Sequence, residues 1–460
     1  TPGGRVMGVG AGWKAPSTPA AKVHKGLNIK DGFKGEAAFP THHVSHQVGP
    51  VIKDGFAGRP KVYWWRCYNP AFINGDNNEW SSIMQDESIM PFLITSTITY
   101  DESSQYADLI LPDVTYLERW DWEDMVSANQ IAEFYIRQPL VKPLGEARCQ
   151  GDVWPELAKR IGFQLAWKDK KDFVRQSCEM TPGVKEAGGF DYMVKKGVWH
   201  DPNDKGNYGF YAKKVDVSGA GVILDEKTGV YWNWKKAGVA SEAAAKKAGY
   251  LGTKGAKGAY VAQNIGGTPL SAYAPNTSFT KSGLLDFYSD NFKGAGLPAF
   301  PTYTPTPEHE AMDKDELIMT TYKVAVHSHS RTTHCKWLSE IKHDNPGWIN
   351  SKTAAERGIK DGDTIKVHNK LGAITTTAYV TEGIVPGVIA ISHHFGRQHS
   401  GIYGSGKNNP INGGASTDPD AKNMTWKKHG VHPNAIIPNS SDPISGTQRW
   451  MDTVVRVDKA

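Results

Sequence analysis

Polar and apolar positions alternate most clearly in the last third of the chain, which is typical of strands with one buried face. The runs with this alternation, or with a short buried apolar character, are ELIMTTYKVAVHS (316–328), DTIKVHN (363–369), AITTTAYVT (373–381), GVIAIS (387–392) and TVVRV (453–457). The tripeptide KLG predicts a tight hairpin between the second and third runs. SKTAAERG predicts one short helix, capped by Ser351 and stopped by Gly358. This pattern predicts a compact β-barrel domain over residues 313–460.

A different pattern occupies residues 61–162. KVYWWRCYNP predicts a strand that ends at the Asn69-Pro70 turn, and PFLITSTIT and YADLILP predict two more strands. NEWSSIMQDESI, between the first two strands, has the helical spacing that puts Trp80, Ile83 and Met84 on one face. Strand, helix and strand within about forty residues favour a parallel sheet. A further helix is predicted from Asp152 to Ile161, with Gly162 as its stop.

The remaining segments have weaker patterns. Residues 1–60 are rich in Gly, Pro and His and predict a connector, and the sequence from Thr1 has no export signal or initiator Met, which suggests a processed, split or truncated chain. Residues 163–312 predict an irregular α/β segment with an exposed helix at SEAAAKKAG and a proline-rich linker. The domains predicted are therefore 1–60, 61–162, 163–312 and 313–460, about the number that 460 residues favour.

Composition and charge exclude several classes of protein. Hydrophobic residues make up 39% and charged residues 22%, which is typical of a folded globular chain. The formal charge of +5 is small for this length and the lysines form no block, so nucleic acid is not an expected partner. No apolar run approaches the roughly 20 residues that span a bilayer. We therefore expect any membrane link to run through a partner.

The four cysteines, Cys67, Cys149, Cys178 and Cys335, form no C-x-x-C pair. This argues against an iron–sulfur cluster or a structural zinc ion within the chain. Buried thiols are the simpler interpretation. Cys335 stands just before Trp337 and Leu338, which we expect in a core, so it is expected to be a packed thiol.

Three groups of segments, in this order, resemble the dimethyl sulfoxide reductase family of molybdopterin oxidoreductases. They are RCYNPAF with DESSQYADLILPDVTYLERWDWEDM and PLVKPLGEAR; then TSFTKSGLLDFYS; then HSHSRTTHCKWLSEIKHDNPGWINSKTAAERGIKDGDTIKV, VTEGIVPGVIAISHHFGR and HPNAIIPNSSDPISG. They are similar to the carboxyl-terminal portion of the family's catalytic subunit. YADLILPDVTYLERWD and DPISG look closest to the branch of polysulfide, thiosulfate, tetrathionate and arsenate reductases.

The resemblance implies a fold and a cofactor. The fold is α/β plus β: a Rossmann-like nucleotide-binding domain, an irregular α/β segment and a six-stranded double-psi-like β-barrel. The cofactor is bis-molybdopterin guanine dinucleotide with molybdenum or tungsten, and binding it requires polar loops at strand ends and close backbone approach at glycines. The implied cofactor-binding residues are Asn69, Thr97, Asp101, Glu102, His327, Ser328, Ser330, Arg331, Thr332, His334, His393, His394, Gly396 and Asn434.

Simpler interpretations stand beside several of these residues. Asn69 before Pro70 is a good turn residue in any protein. The acidic run from Asp101 to Asp124 is more often a solvated face, and we expect that of all its members but Asp101 and Glu102. An arginine at position 331 suits an anionic ligand but equally a surface ion pair.

Two histidine clusters invite a zinc hypothesis. His327 and His329 would share a face if their segment is a strand, and with His334 they could bind zinc. His42, His43 and His46 form a second cluster, in a predicted loop. Histidines without other ligands nearby seldom form such sites, so we predict no metal ligand in this chain.

The sequence departs from the family pattern at two points, and these departures leave two hypotheses about the function of the chain. The family's amino-terminal cluster domain and metal-ligand segment are not visible here, and Thr97 stands where many relatives carry an aspartate. The leading hypothesis is an enzyme: part of the catalytic subunit of a respiratory reductase or oxidase of a sulfur or arsenic oxyanion. The alternative is a cofactor-less subunit that serves as an electron-transfer or assembly scaffold, for which we would expect a filled, apolar pocket near His393 and Arg331.

The enzyme hypothesis also implies partners and a place in the cell. The resemblance implies the amino-terminal half of the same subunit, an iron–sulfur electron-transfer subunit and a quinone-linked membrane anchor. [4Fe-4S] clusters are expected only on the missing part and on the partner subunit. The location implied is the periplasmic side of the membrane.

Overall fold

A computed structural model describes residues 12–16, 37–39, 45–55, 58–126, 131–204, 221–225, 230–235, 240–248, 260–261, 287–300, 302–397 and 430–460. The helices among them are α1 (Val48–Asp54), α2 (Pro70–Ile73), α3 (Asn77–Gln85), α4 (Gln150–Arg160), α5 (Lys170–Met180), α6 (Gly189–Lys196), α7 (Glu242–Ala248), α8 (Asp290–Gly294), α9 (Pro307–Glu310), α10 (Lys336–Ile341) and α11 (Ser351–Glu356). The strands are β1 (Tyr63–Arg66), β2 (Leu93–Thr97), β3 (Leu109–Pro112), β4 (Asp121–Val126), β5 (Ala132–Arg137), β6 (Val198–His200), β7 (Val222–Asp225), β8 (Val230–Asn233), β9 (Tyr260–Val261), β10 (Glu316–Tyr322), β11 (Gly347–Ile349), β12 (Thr364–Asn369), β13 (Gly372–Val380), β14 (Val388–Ser392) and β15 (Thr453–Lys459).

The chain forms two compact units. The first comprises Thr1–Pro19, Arg119–Leu140 and Trp154–Tyr303, and the second comprises Ala20–Glu118, Val141–Val153 and Thr304–Ala460. The second unit contains both the parallel sheet and the barrel, and it therefore contains every residue that we predict to bind a cofactor.

The predicted parallel sheet is confirmed. β1 pairs with β2 and β2 with β3, both parallel, so the carboxyl ends of all three strands lie at one edge. α3 covers the sheet because its apolar positions recur at helical spacing, and Trp80, Ile83 and Met84 are all buried there, as predicted. β2 is buried along its whole length.

The predicted barrel is confirmed as a closed, six-stranded one, in the order β10-β14-β11-β13-β12-β15. β12 and β13 form the predicted antiparallel hairpin, whereas β10 and β14 pair in parallel. The alternating side chains that point inward, among them Met319, Ile349 and Ile389, are fully buried in its core. β11 was not predicted, because three residues are too few to establish an alternation.

Several local predictions in this unit are wrong. β10 ends at Tyr322, so His327 and His329 do not share the face of a strand, and His329 lies in a short 3₁₀ helix (His329–Arg331). Trp337 is 72% exposed rather than part of a core. The cap of α11 is Asn350, whose side chain accepts a hydrogen bond from Lys352 N at 3.0 Å, one residue before the predicted Ser351.

The acidic run is not one solvated face. Asp113 is buried and forms a 2.6 Å ion pair with Arg66, and the Asp108 carboxylate accepts a hydrogen bond from Leu93 N at 2.7 Å. Asp121 forms an ion pair of 3.0 Å with Lys170. These carboxylates have structural partners, which a pattern of charges along the chain does not reveal.

The first unit combines strands from two predicted domains: β4 and β5 come from the range 61–162, and β6 to β9 come from the α/β segment predicted over 163–312. β4, β5 and β6 form an antiparallel sheet, and α5 and α6 pack against it around the buried side chains of Phe134, Val174 and Met193. β7, β8 and β9 form a second antiparallel sheet. The domain boundaries predicted at residues 60, 162 and 312 stay a prediction.

Two bulk features complete the description. None of the four cysteines, all of which the structure describes, forms a disulfide; Cys149 and Cys178 are buried as expected, whereas Cys67 is exposed and Cys335 is partly buried. Among the described residues, no helix is both long and apolar enough to cross a bilayer. His42 and His43 lie outside the described residues.

Candidate functional site

Loops from two neighbouring strands of the barrel meet at one edge. The segment from His327 to His334 follows β10, and His393 to Arg397 follows β14. Because β10 and β14 are parallel neighbours, their carboxyl ends lie side by side and so do these loops. A third segment, the 3₁₀ turn Pro433–Ala435, brings Asn434 to the same place.

These segments enclose a cavity of about 310 Å³. Its lining residues are Phe72, Ile73, Thr321, Lys323, His329, Ser330, His393, His432, Asn434, Trp450 and Met451. Three of the predicted site residues, Ser330, His393 and Asn434, are among them. A neighbouring cleft is lined by four more, His327, Ser328, Thr332 and His394. The sequence prediction therefore grouped residues that the fold brings together.

Two polar atoms beside the cavity are buried with no partner among the described residues: Asn434 Oδ1 and His432 Nδ1. Asn434 Nδ2 donates to the Ile73 carbonyl at 2.9 Å, which fixes the side chain and leaves the amide oxygen unused. The His432 ring stacks on Phe72 with centroids 3.6 Å apart, and its Nε2 contacts the Phe72 carbonyl oxygen. Buried polar atoms without partners are costly, so they favour a ligand that supplies donors here.

A row of imidazoles lines the barrel side of the cavity. His393 Nε2 and His329 Nδ1 are 3.1 Å apart and share a hydrogen bond, and the His393 and His394 rings stack at 4.4 Å. Burial, together with the neighbouring imidazoles, lowers the pKa of both His393 and His394 to about 4. Burial likewise lowers the pKa of His432 to about 4. At neutral pH these rings are uncharged and each offers one donor and one acceptor.

Glycine at position 396 allows a close approach of two backbones. Its φ is +88°, in the left-handed region, and an added Cβ would lie 2.6 Å from the Val431 carbonyl carbon and overlap His432 N. The loop after β14 can therefore lie directly against the segment that carries His432 and Asn434. Gly396, predicted as a cofactor contact, has a structural reason of its own.

The residues predicted at the parallel sheet are deeply buried and bonded to one another. Asn69 Nδ2 donates to Glu102 Oε2 at 2.7 Å, and Asn69 Oδ1 accepts from Ser103 N at 2.9 Å. The Asp101 carboxylate accepts from Ser104 N at 2.9 Å, and burial raises its pKa to about 6. Thr97 Oγ1 donates to the Thr99 carbonyl at 2.8 Å. These side chains lie at the carboxyl edge of the sheet, as predicted, but each already has a protein partner.

The rest of the predicted set orders its own loop. Thr332 Oγ1 accepts from Ser328 N at 2.9 Å, and His327 Nε2 lies 2.7 Å from the Lys342 carbonyl oxygen. Arg331 is exposed and donates to Ser328 Oγ at 2.9 Å. Burial lowers the pKa of His334, and its Nδ1 is buried with no partner among the described residues.

Comparison with known proteins matches this architecture. Residues 317–454 match the family model "Molydopterin dinucleotide binding domain", and residues 32–160 match the model "Molybdopterin oxidoreductase". The chain is 26% identical to the thiosulfate reductase molybdopterin-containing subunit of Salmonella typhimurium, over 80% of this chain and 40% of that protein. It is also 26% identical to a dimethyl sulfoxide/trimethylamine N-oxide reductase of Cereibacter sphaeroides, over 72% of this chain and 35% of that protein.

The chain belongs to the dimethyl sulfoxide reductase family of molybdopterin oxidoreductases. The fold is similar to that of acetylene hydratase from Pelobacter acetylenicus, with a TM-score of 0.55 at 15% identity; the match covers 90% of this chain and 46% of that chain. The chain spans less than half the length of the curated relatives named here. The family assignment therefore applies to a cofactor-binding portion, and the barrel is its dinucleotide-binding domain.

Three residues of this family member escaped the sequence prediction. Arg397 is buried and forms an ion pair with Glu102, and His432 stacks over Phe72 in the cavity wall. Asn345 is fully buried and its Nδ2 donates to the Ser392 and Val431 carbonyls at 2.6 and 2.8 Å. Arg397 and His432 lie within segments that carry the family resemblance, but their partners Glu102 and Phe72 are 295 and 360 residues away in the chain, and no local pattern identifies them.

Proposed function

We propose that this chain is the part of a molybdenum oxidoreductase catalytic subunit that holds bis-molybdopterin guanine dinucleotide. The observation that carries the proposal is the cavity at the carboxyl ends of β10 and β14, where Asn434 Oδ1 and His432 Nδ1 are buried without partners among the described residues. A pterin offers N–H donors of the kind that these two atoms require. The residues present therefore fit the cofactor that the two family models imply.

The chain's own residues would bind and orient the cofactor. Bound there, the cofactor would supply two-electron redox chemistry at its metal, molybdenum or tungsten. Asn434 and His432 would accept hydrogen bonds, and the neutral His393 and His329 would supply further donors and acceptors without adding charge. Trp450 and Phe72 would exclude water from the apolar side of the cavity.

The parallel sheet would hold a nucleotide end of the cofactor. The crevice outside the carboxyl ends of parallel strands is where such sheets bind nucleotides; Asn69 follows β1 there, Thr97 is the last residue of β2, and Glu102 follows β2. We propose that this sheet acts as a Rossmann-like nucleotide-binding domain and that the barrel has the double-psi connection. Because Asn69 and Glu102 bond to each other, their part in this site is to shape the crevice.

The substrate class proposed is an oxyanion of sulfur, arsenic or selenium. Support comes from relatives that are described as a thiosulfate reductase subunit, a selenate reductase subunit of Mesobacillus selenatarsenatis (24% identical, 48% of that protein) and an arsenate respiratory reductase subunit of Shewanella sp. (23% identical, 48% of that protein). We further propose an iron–sulfur partner subunit, a quinone-linked membrane anchor and a periplasmic location. The rest of the catalytic subunit would complete the active site and carry a [4Fe-4S] cluster.

The scaffold alternative requires a filled, apolar pocket near His393. The cavity there is open, and it is lined by a lysine, three histidines, a threonine, a serine and an asparagine besides its apolar side chains. This lining favours a site that holds a polar cofactor.

The test is the cofactor content of the full-length subunit, measured as molybdenum or tungsten by mass spectrometry and as pterin by fluorescence after oxidative release. We expect Arg331→Ala to lower both contents, because an exposed guanidinium beside the cavity loops suits the anionic cofactor. The matched control is Arg160→Ala, an exposed arginine at the end of α4. A wild-type subunit with neither pterin nor metal would refute the proposed function, and equal contents in the two variants would remove Arg331 from the site.

A further inference from the structure

One buried ion pair joins the sheet and barrel parts of the second unit. Arg397 Nε donates to both carboxylate oxygens of Glu102, at 3.0 and 2.9 Å. The side chains are only 8% and 9% exposed. Glu102 follows β2 of the parallel sheet, and Arg397 lies in the loop after β14 of the barrel. Burying two charges away from water costs desolvation free energy, so the pair is expected to have a role that offsets this cost.

The same guanidinium reaches a second barrel loop and an aromatic ring. Arg397 Nη1 donates to the Ser330 carbonyl at 3.0 Å, and its guanidinium carbon lies 5.2 Å from the centre of the Phe72 ring. His432 stacks against that ring. One planar side chain therefore contacts the crevice of the parallel sheet, the loop after β10 and the cavity wall.

These three contacts together require a guanidinium group. A guanidinium has five donors in a fixed plane, so it can bond a carboxylate and a carbonyl at once while its face lies near a ring. An ammonium is a point charge and cannot hold this geometry. The carboxylate side is fixed as well, because Glu102 Oε2 also accepts from Asn69 Nδ2 at 2.7 Å.

We propose that Arg397 is a positioning residue that sets the register between the sheet crevice and the barrel loops, so that one cofactor can be held by both. The proposal rests on the proposed function of this site. Arg397 acts through the Ser330 loop and through Glu102 and Asn69, and it needs no contact with the cofactor itself. Loss of this register separates two half-sites that each remain folded.

Two variants of the full-length subunit separate positioning from stability. Arg397→Met leaves Glu102 buried without its cation, and we expect the melting temperature to fall by about 10 °C. Adding Glu102→Gln removes the buried charge and keeps an acceptor for Asn69, so we expect most of the melting temperature to return. In both the single and the double variant we expect the cofactor content to be roughly tenfold or more below that of the wild type, as is common when residues that orient a site are lost.

A conservative variant adds a readout that stability alone would not move. Arg397→Lys keeps the positive charge beside Glu102, so we expect a melting temperature close to that of the wild type, whereas cofactor content should fall because the bond to Ser330 is lost. Hydrogen exchange of the amides from His327 to His334 should become faster in Arg397→Met and Arg397→Lys alike.

The outcomes are distinct. Full recovery of cofactor in the double variant, or normal cofactor content in Arg397→Lys, would overturn the positioning role and reduce the pair to a contribution to stability. Unchanged exchange of the 327–334 loop would overturn it too. A wild-type subunit without pterin or metal, in which the loop still loosens on Arg397→Met, would refute the proposed function while the register between the two parts stands.

Discussion

At the scale of single residues, the side chains chosen by family resemblance divide into two kinds. Ser330, His393 and Asn434 line the cavity, and Asn434 Oδ1 is free to accept from a ligand. Asn69 and Glu102 are bonded to each other and to neighbouring groups, so they shape a site more than they touch a ligand. Resemblance selects both kinds, because both are needed for the same site to form.

Gly396 gives a prediction at this scale. We expect Gly396→Ala to lower the free energy of unfolding by about 3 kcal/mol or more, since the methyl group meets both left-handed strain and the backbone of Val431 and His432. Denaturant unfolding measures it. The matched control is Gly358→Ala, which has φ +64° but no atom within 4 Å of its added Cβ, so it should cost only about 1 kcal/mol of strain. Equal losses in the two variants would contradict the close approach at Gly396.

At the scale of elements, the parallel pairing of β10 with β14 decides where the site is. Alternation is enough to predict β10 and the hairpin of β12 with β13, and the continuous apolar run GVIAIS predicts β14 as a buried strand. The three residues of β11 are too few for such a pattern, although β11 joins β13 to β14 and the barrel cannot close without it. The partner of Arg397 could not be predicted either, because Glu102 is 295 residues away.

Asn345 gives the prediction that belongs to this scale. Its side chain bonds β14 to the segment that carries His432, donating to the Ser392 and Val431 carbonyls and accepting from Val431 N at 2.7 Å. Asn345→Asp keeps the shape but turns the donor into a carboxylate oxygen that faces two carbonyls. We expect a loss of about 3 kcal/mol or more in the free energy of unfolding at pH 7.

The pH dependence of the Asn345→Asp variant is its internal control. A protonated carboxyl can donate one hydrogen bond, so part of the loss should be recovered as the pH falls toward 5 in denaturant titrations. Asn78→Asp, on the exposed polar side of α3, is the matched substitution and should be nearly neutral. A loss at Asn345 no larger than that at Asn78 would refute the role of this amide as a donor.

At the scale of the whole chain, hydrogen bonds between segments that are far apart in the sequence hold the second unit together. His46, just before α1, hydrogen-bonds through Nε2 to Ser441 Oγ at 2.9 Å, near the carboxyl terminus, and its carbonyl accepts from Trp80 Nε1 at 3.1 Å. The sequence predicts that His46 lies in a histidine-rich loop, where a zinc site is one hypothesis. The fold instead buries it as a neutral link between segments 395 residues apart.

That burial makes stability depend on pH in a definite direction. Burial lowers the pKa of His46 to about 4 from its ordinary 6.5. Below pH 6.5 the unfolded chain takes up a proton at this ring and the folded chain does not, so unfolding becomes easier as the pH falls from 6.5 to 4. The slope is about 1.4 kcal/mol per pH unit for one such ring.

We expect His46→Gln, which can keep a bond to Ser441, to lower the slope of the wild type by this amount in that window. Above pH 7.5 the ring is neutral in both states, so there the two proteins should show parallel profiles in denaturant titrations. Profiles that stay parallel below pH 6.5 as well would mean that His46 takes up a proton as readily in the folded chain as in the unfolded one, which would contradict its burial as a neutral ring.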